Sequence, residues 1–204
     1  MQAALRALDT TGPDPVVNPT LPRSGSSSRS RYSIIARMGQ AQAPPPLLRV
    51  GGGRLGIRGR PKLGLLVPLH RGGVTHLVTL LSGPEGARQI GAAAQAAGLA
   101  WIWVDVGNGR RPSRRSTPEY LGGLRQAETA LAAGGTVVVH CAAGIHRTGM
   151  FAFALLRTVG QDHAEALQTL ARLRTVTADT VGVERLAWAE DLATLARAHH
   201  PPHR

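Results

Sequence analysis

The sequence predicts an α/β fold: a central, mostly parallel sheet of four to five strands flanked by helices. Three observations lead there. Short apolar, β-branched runs such as "VTHLVTLL" and "TVVVH" alternate with longer stretches of helical periodicity. The runs are continuously apolar, the pattern of strands covered on both faces. Glycine, proline and small polar residues separate them, where turns and helix caps belong. With 204 residues, 43% of them hydrophobic, the chain suits one core-bearing domain with a tail.

Residues 1–46 read as that tail. "PRSGSSSRSR" and "QAQAPPP" carry too little hydrophobicity to offset the entropy of ordering, and Met38 offers a second start site. The domain is expected over 47–198. "RLGIRG" (54–59) predicts a short strand and "VTHLVTLL" (74–81) a buried one. Residues 82–98 predict a helix with Pro84 and Glu85 in its first turn and Gly98 past its end. "LAWIWVDV" (99–106) is the next strand. The helix after it has Ser116 three residues before Glu119, a capping-box spacing, and stops at Gly134-Gly135. "TVVVH" (136–140) is the last strand. Three helices follow over 147–160, 162–175 and 182–200, with residues 199–204 fraying.

Composition narrows the function classes. A single cysteine, Cys141, excludes an internal disulfide, so nothing demands an oxidising compartment. No apolar run reaches the ~18 residues of a membrane span, and the N-terminus lacks a signal peptide's apolar core. A cytoplasmic protein is the expectation. The net charge of +12 comes almost wholly from arginine, with Lys62 the only lysine. Such an excess suits anionic partners and acidic substrates, and it also fits a chain generally rich in Ala, Gly and Arg. Nucleic acid is not the expected partner.

The chemistry concentrates in "HCAAGIHRTG", residues 140–149. A buried strand ends, a short glycine-containing loop follows, and a helix begins. That arrangement aims backbone N–H groups and a helix dipole at one spot. Gly144 permits a backbone other residues resist. Arg147 offers a planar fork for two phosphate oxygens. The same field lowers a thiol from about 8.5 toward roughly 3.5–7.5, so Cys141 is expected as a thiolate, an in-line nucleophile beneath a bound phosphate.

Cys-x5-Arg, with glycine three after the cysteine and Thr-Gly entering a helix, resembles the HCxxGxxR-Ser/Thr signature of the cysteine-dependent protein tyrosine phosphatase superfamily. "RGGVTHLVTLLSGPE" is similar to the stretch before the acid loop in compact dual-specificity members, those like the cyclin-dependent kinase inhibitor-associated phosphatase. The resemblance covers about residues 48–195. It implies a phosphatase-like fold with Cys141 as nucleophile and Arg147 on phosphate. Ala142, Ala143, Gly144, Ile145 and His146 would lend backbone amides. Thr148 would help the thiolate leave, and His140 would orient the cysteine's surroundings. His146 departs from the small residue common at its position; it either touches substrate or faces solvent.

Expelling an alkoxide or phenoxide needs a proton, and a positioned carboxylic acid contributes about 10²–10⁴-fold. Asp105 is the only aspartate between Asp14 and Asp162. It ends a predicted strand whose C-terminal end the cysteine loop shares, and Trp103-Val104-Asp105 resembles the family's Trp-Pro-Asp loop without its proline. Glu119 and Glu128 are explained by their helix. Trp101 and Trp103 share a face, suiting core packing or, for Trp103, an anchor for the loop. Arg110, Arg111, Arg114 and Arg115 follow, either steering an acidic substrate or simply solvated. The water-positioning glutamine of larger tyrosine-specific relatives has no counterpart, so Asp105 would also serve as base.

The resemblance therefore implies a phosphoprotein phosphatase, phosphotyrosine-directed or dual-specificity, working through a cysteinyl-phosphate with neither metal nor cofactor. Its partner would be a phosphorylated protein or peptide. A phosphoinositide phosphatase and an RNA 5′-triphosphatase of the same superfamily are alternatives, as is an inactive phosphopeptide-binding module. Arsenate reduction by an internal thiol relay needs further cysteines. Low-molecular-weight phosphatases place loop and aspartate in the reverse order.

Overall fold

The computed structural model describes residues 44–107 and 117–198. The expected tail lies outside them except for prolines 44–46. Residues 199–204, the Ser116 cap and the arginines at 110, 111, 114 and 115 lie outside too.

Five strands form one sheet in the order β1-β2-β5-β3-β4. β1 (Leu48–Val50) and β2 (Gly53–Arg58) make an antiparallel hairpin; β2, β5 (Thr136–His140), β3 (His76–Leu80) and β4 (Ala100–Val104) are parallel. This matches the predicted class. β5 lies at the centre, and its Val-Val-Val run is fully buried. It enters between β2 and β3, so the chain's order reverses there. The crevice at the C-terminal ends of these strands is where ligands bind in open α/β sheets.

α1 (Leu66–Arg71), α2 (Ala87–Ala96) and α3 (Thr117–Ala132) connect the parallel strands. α4 (His146–Thr158) leaves β5, and α5 (His163–Leu173), α6 (Thr175–Thr180) and α7 (Val183–Ala198) complete the chain. α4 is the core helix: from Arg147 to Leu156 every residue is buried. Gly149 lets it approach α6 and the Val181 side chain, which an added methyl would crowd. Arg157 and His163 both pair with Glu190, tying α4 and α5 to α7.

Two local expectations are corrected, and one strand escapes the sequence reading. Pro84 and Glu85 do not open α2. They form a separate 3₁₀ turn, Gly83–Glu85, with a Ser82–Glu85 capping box, and Gly86 at φ +87° starts the helix afresh. β1 escapes a periodicity argument because it is three residues long. From α4 onward the described residues form four helices rather than the expected three, since an extended backbone at Arg174 splits off α6.

Candidate active site

Residues 141–145 link the end of β5 to the start of α4. Their shape is fixed by what their carbonyls do. The Ala142 carbonyl accepts from the Arg60 N–H at 3.0 Å. Arg174 Nη1 donates to the Ala143 and Gly144 carbonyls at 3.0 and 2.7 Å, and Thr177 Oγ1 donates to the latter at 2.7 Å. Three successive carbonyls thus face outward, which turns the intervening amides toward the loop's interior, the geometry of an anion-binding nest. Gly144 sits at φ +70°, and a Cβ there would run into the backbone of Arg58 and Gly59. Only glycine closes this loop against β2.

The Cys141 sulfur lies within. The Gly144 N–H donates to Sγ at 3.2 Å. Burial pushes the thiol up, but the Thr148 hydroxyl and the amides of Thr148, Gly144 and Ile145 outweigh it, so its pKa falls below the ordinary value. The Gly144 amide is the firmest of these contacts. The buried Thr148 hydroxyl completes no hydrogen bond among the described residues, and its dipole acts on the sulfur from the first turn of α4.

Arg147 is buried, and the described contacts account for three of its five N–H groups. Nη1 donates to Glu85 Oε2 at 2.7 Å and to the Val106 carbonyl at 3.0 Å; Nη2 donates to Glu85 Oε1 at 2.9 Å. The end-on fork is therefore occupied. The side-on fork, Nε–H and the second Nη2–H, is left for a bidentate oxyanion. Burial alone would lower the guanidinium's pKa, but Glu85 and the Cys141 sulfur raise it overall. Arg147's hydrogen bonds pull the Glu85 carboxyl down to about 2, against burial and with help from Ser82. Ser82 donates to Oε2 through both its N–H and its hydroxyl at 3.0 Å.

His140 is fully buried, and its neighbours fix its tautomer. Trp101 Nε1–H donates to Thr79 Oγ1 at 2.9 Å. The single Thr79 hydroxyl hydrogen is then directed to His140 Nε2, 2.9 Å away. Nε2 is thus the bare nitrogen, and Nδ1–H donates to the Cys141 carbonyl at 3.3 Å. Burial pushes the ring's pKa down to about 3; Arg58, Arg60 and Arg147 act in the same direction, opposed by the carbonyl bond. His140 is a neutral clamp on the cysteine's backbone.

Asp105 directly follows β4 and is exposed. The next residue, Val106, is buried and supplies the carbonyl that Arg147 grips, which ties the aspartate's loop to the phosphate-sized cradle. Trp103 Nε1 donates to the Leu81 carbonyl at 2.8 Å, stacks on Trp101 and carries Arg88 over its ring, so it anchors the strand beneath that loop. Ala142 and Ala143 are exposed at the rim. His146 is the first residue of α4 rather than part of the loop, half-buried, its ring's pKa lowered by burial and by Arg185 against a hydrogen bond with the Thr180 backbone.

The structure thus gathers the predicted Cys141, Arg147, Thr148 and His140 around one loop. Glu85, Arg174, Thr79 and Trp101 belong to the same assembly and were not expected in it. The Ser82–Glu85 capping spacing was visible in sequence; its partner, 62 residues away, was not.

A family model described as "Tc-R-P: Polymorphic toxin system, DSP-PTPase phosphatase" matches residues 64–161. No curated protein matches the chain. Among solved structures, kinase-associated phosphatase with its catalytic-site cysteine replaced by serine aligns with a TM-score of 0.61 at 14% identity, covering 78% of this chain and 99% of that one. Tk-PTP in its active form aligns with a TM-score of 0.57 at 21% identity, covering 72% and 95%. PTPMT1 in complex with PI(5)P aligns with a TM-score of 0.59 at 17% identity, covering 75% and 97%.

Proposed function

We propose that the chain is a phosphatase of the cysteine-dependent protein tyrosine phosphatase superfamily and hydrolyses phosphomonoesters on proteins, phosphotyrosine foremost, through a phosphocysteine at Cys141; the phosphatase family model over residues 64–161 and the shared fold support this reading. The observation that carries this reading is the loop around the sulfur. Its carbonyls are tied outward, its Gly144 amide meets Sγ, and the fork of Arg147 is aimed by Glu85.

In this reading the side-on fork of Arg147 and the loop amides seat the phosphate. The Cys141 thiolate attacks phosphorus; the S–P bond forms as the P–O ester bond breaks. Asp105 gives its proton to the leaving oxygen. A water then loses a proton to Asp105 and attacks phosphorus, and the thiolate departs, met by the Thr148 hydroxyl. Arg147 stabilises the equatorial oxygens in both steps, charge that develops where the donors already point. Neutral His140 holds the Cys141 carbonyl throughout, so the loop keeps its shape as the sulfur's charge comes and goes.

The test is hydrolysis of p-nitrophenyl phosphate. Cys141→Ser is expected to abolish turnover while retaining phosphate binding, and Asp105→Asn to lower kcat by about 10²–10⁴-fold. Full activity in Cys141→Ser would falsify the nucleophile assignment. A phosphoinositide is the second reading, favoured by the arginines beside the loop, Arg58, Arg60 and Arg174, and by the PI(5)P complex of a similarly folded protein. Comparing kcat/KM for a phosphotyrosine peptide, a phosphoserine peptide, a phosphoinositide and an RNA 5′-triphosphate separates the substrates.

A further inference from the structure

The strand that leads to Asp105 and the strand that leads to Cys141 are not neighbours: β3 lies between β4 and β5. One side chain of β3 nonetheless reaches both. Thr79 stands opposite His140 in the β3–β5 register, and its Oγ1 lies 2.9 Å from His140 Nε2. From the other side it accepts the Trp101 indole N–H, also at 2.9 Å. His140 carries the line onward from Nδ1 to the Cys141 carbonyl at 3.3 Å. A continuous run of hydrogen bonds therefore joins β4 to the residue that bears the sulfur. Of this run only His140 enters the reaction proposed for Cys141.

The direction of each bond is set. A carbonyl only accepts and an indole N–H only donates. His140 is neutral, burial being the largest cause, so its one ring proton sits on Nδ1, facing the Cys141 carbonyl. Nε2 can then only accept, and the Thr79 hydrogen goes there. Packing alone does not decide which way Thr79 turns. The residue is fully buried, and its hydroxyl and methyl are similar in shape. The indole N–H decides it: Oγ1 must face Trp101, and from that position it also faces His140. The donated N–H polarises the hydroxyl as well, which strengthens its own donation to Nε2. Trp101 is itself held in place. Its ring stacks on Trp103 at 5.5 Å and lies against Gly91, where a Cβ would collide with it. Trp103 donates instead to the Leu81 carbonyl and stands outside the run.

We propose that Trp101 is a positioning residue for Cys141: through the Thr79 hydroxyl it keeps the His140 proton on Nδ1, and through that proton it holds the carbonyl at the root of the cysteine loop. The inference rests on Cys141 as the proposed nucleophile. It also links the strand before the proposed acid to the strand before the nucleophile through side chains, across the strand between them. Without the indole N–H the Thr79 hydroxyl is free to turn, Nε2 loses its donor, and the ring divides between two tautomers, one of which presents a bare nitrogen to the Cys141 carbonyl. The loop amides then meet the sulfur less squarely, and the thiolate loses part of its stabilisation.

The test variant is Trp101→Phe, which keeps a ring in the stack and removes the N–H. Its control is Trp103→Phe, which removes an N–H outside the run. Two readouts do not depend on turnover. The rate of Cys141 alkylation by iodoacetamide, followed against pH by mass spectrometry, is expected to move its midpoint up by roughly 0.5 in pH in Trp101→Phe and to leave it in place in Trp103→Phe. Ring ¹⁵N NMR is expected to show His140 as the Nδ1–H tautomer in wild type and as a mixture in Trp101→Phe. With p-nitrophenyl phosphate, kcat is expected to fall about 3–10-fold in Trp101→Phe while KM stays within about twofold. In a Thr79→Val background Trp101→Phe should move the midpoint no further, because the run is already broken. An unmoved midpoint in Trp101→Phe, an equal shift in Trp103→Phe, or a full further shift in the Thr79→Val background overturns the proposal. Should Trp101→Phe fail to fold, wild type decides: Nδ1–H at His140 with a Trp101 indole N–H protected from exchange supports the proposal, and Nε2–H overturns it. A midpoint that answers to Trp101 in a protein that never hydrolyses a phosphate ester refutes the phosphatase reading and leaves the hold on the sulfur standing.

Discussion

Glu85→Gln removes the charge that aims Arg147 and keeps the side chain's shape. One carboxylate oxygen becomes an NH₂ that faces an arginine N–H, so the end-on fork loses both its charge and half its acceptors. The size of the effect follows from the carboxyl's pKa. A fall from 4.5 to about 2, driven first by Arg147's hydrogen bonds, corresponds to about 3 kcal/mol. Glu85's side chain is 21% exposed, and solvent screening reduces this to about 2 kcal/mol. The variant should lose about that much stability at pH 7, read from the urea midpoint at constant m. The folded pKa lies below the unfolded one. The pair's contribution is therefore fully present above about pH 4.5 and is lost as pH falls through about 2, where wild type and variant converge. Catalysis should suffer too, since only one uncharged amide oxygen and the Val106 carbonyl would hold the guanidinium: kcat/KM for p-nitrophenyl phosphate is expected to drop about 10–100-fold. Equal urea midpoints at pH 7 together with an unchanged kcat/KM would refute both the pairing energy and the positioning role.

Gly144→Ala forces a Cβ into the Arg58–Gly59 backbone at φ +70°; it should cost about 3 kcal/mol and lower Tm by roughly 10 °C in calorimetry, with activity lost in parallel. Thr79→Val leaves Trp101 Nε1 and His140 Nε2 without their shared hydroxyl; a loss of about 2 kcal/mol is expected in chemical denaturation, and a variant as stable as wild type would contradict the role given to that hydroxyl. Iodoacetamide should alkylate Cys141 with a rate-versus-pH midpoint below the roughly 8.5 of a free thiol, followed by mass spectrometry; Thr148→Val should move that midpoint upward.

How far the sequence could be read depended on how local each signal was. β5 and its helix were legible because a buried strand, a glycine and an apolar helix follow one another within about twenty residues, and each carries its own pattern. The Cys141–Arg147 spacing sits inside that stretch. β1 was not legible: three residues cannot show a period, and the strand exists only because β2 pairs with it. The split at Gly86 was missed because Pro84 and Glu85 suit a 3₁₀ turn as well as a helix's first turn. The break at Arg174 was missed because α5's pattern runs smoothly into it; the residue is pulled into an extended conformation where its side chain grips the cysteine loop.

The supporting residues of the proposed site were harder to find than the residues proposed to react. A reacting group must be of a rare chemical type, so one cysteine in 204 residues draws attention. A supporting group need only reach, and glutamate, threonine, tryptophan and arginine are all common. Glu85 lies 62 residues from Arg147, and Thr79 lies 61 from His140. What brings them together is the strand order: β3 lies directly against β5, so the residues that leave β3 open onto the cysteine loop. The Thr79–His140 register makes one clamp and the turn after β3 makes the other. Any chain that inserts its last strand beside β3 puts the residues just past β3 within reach of the loop's arginine. A carboxylate there follows from topology once an arginine must be held still in a partly dry crevice.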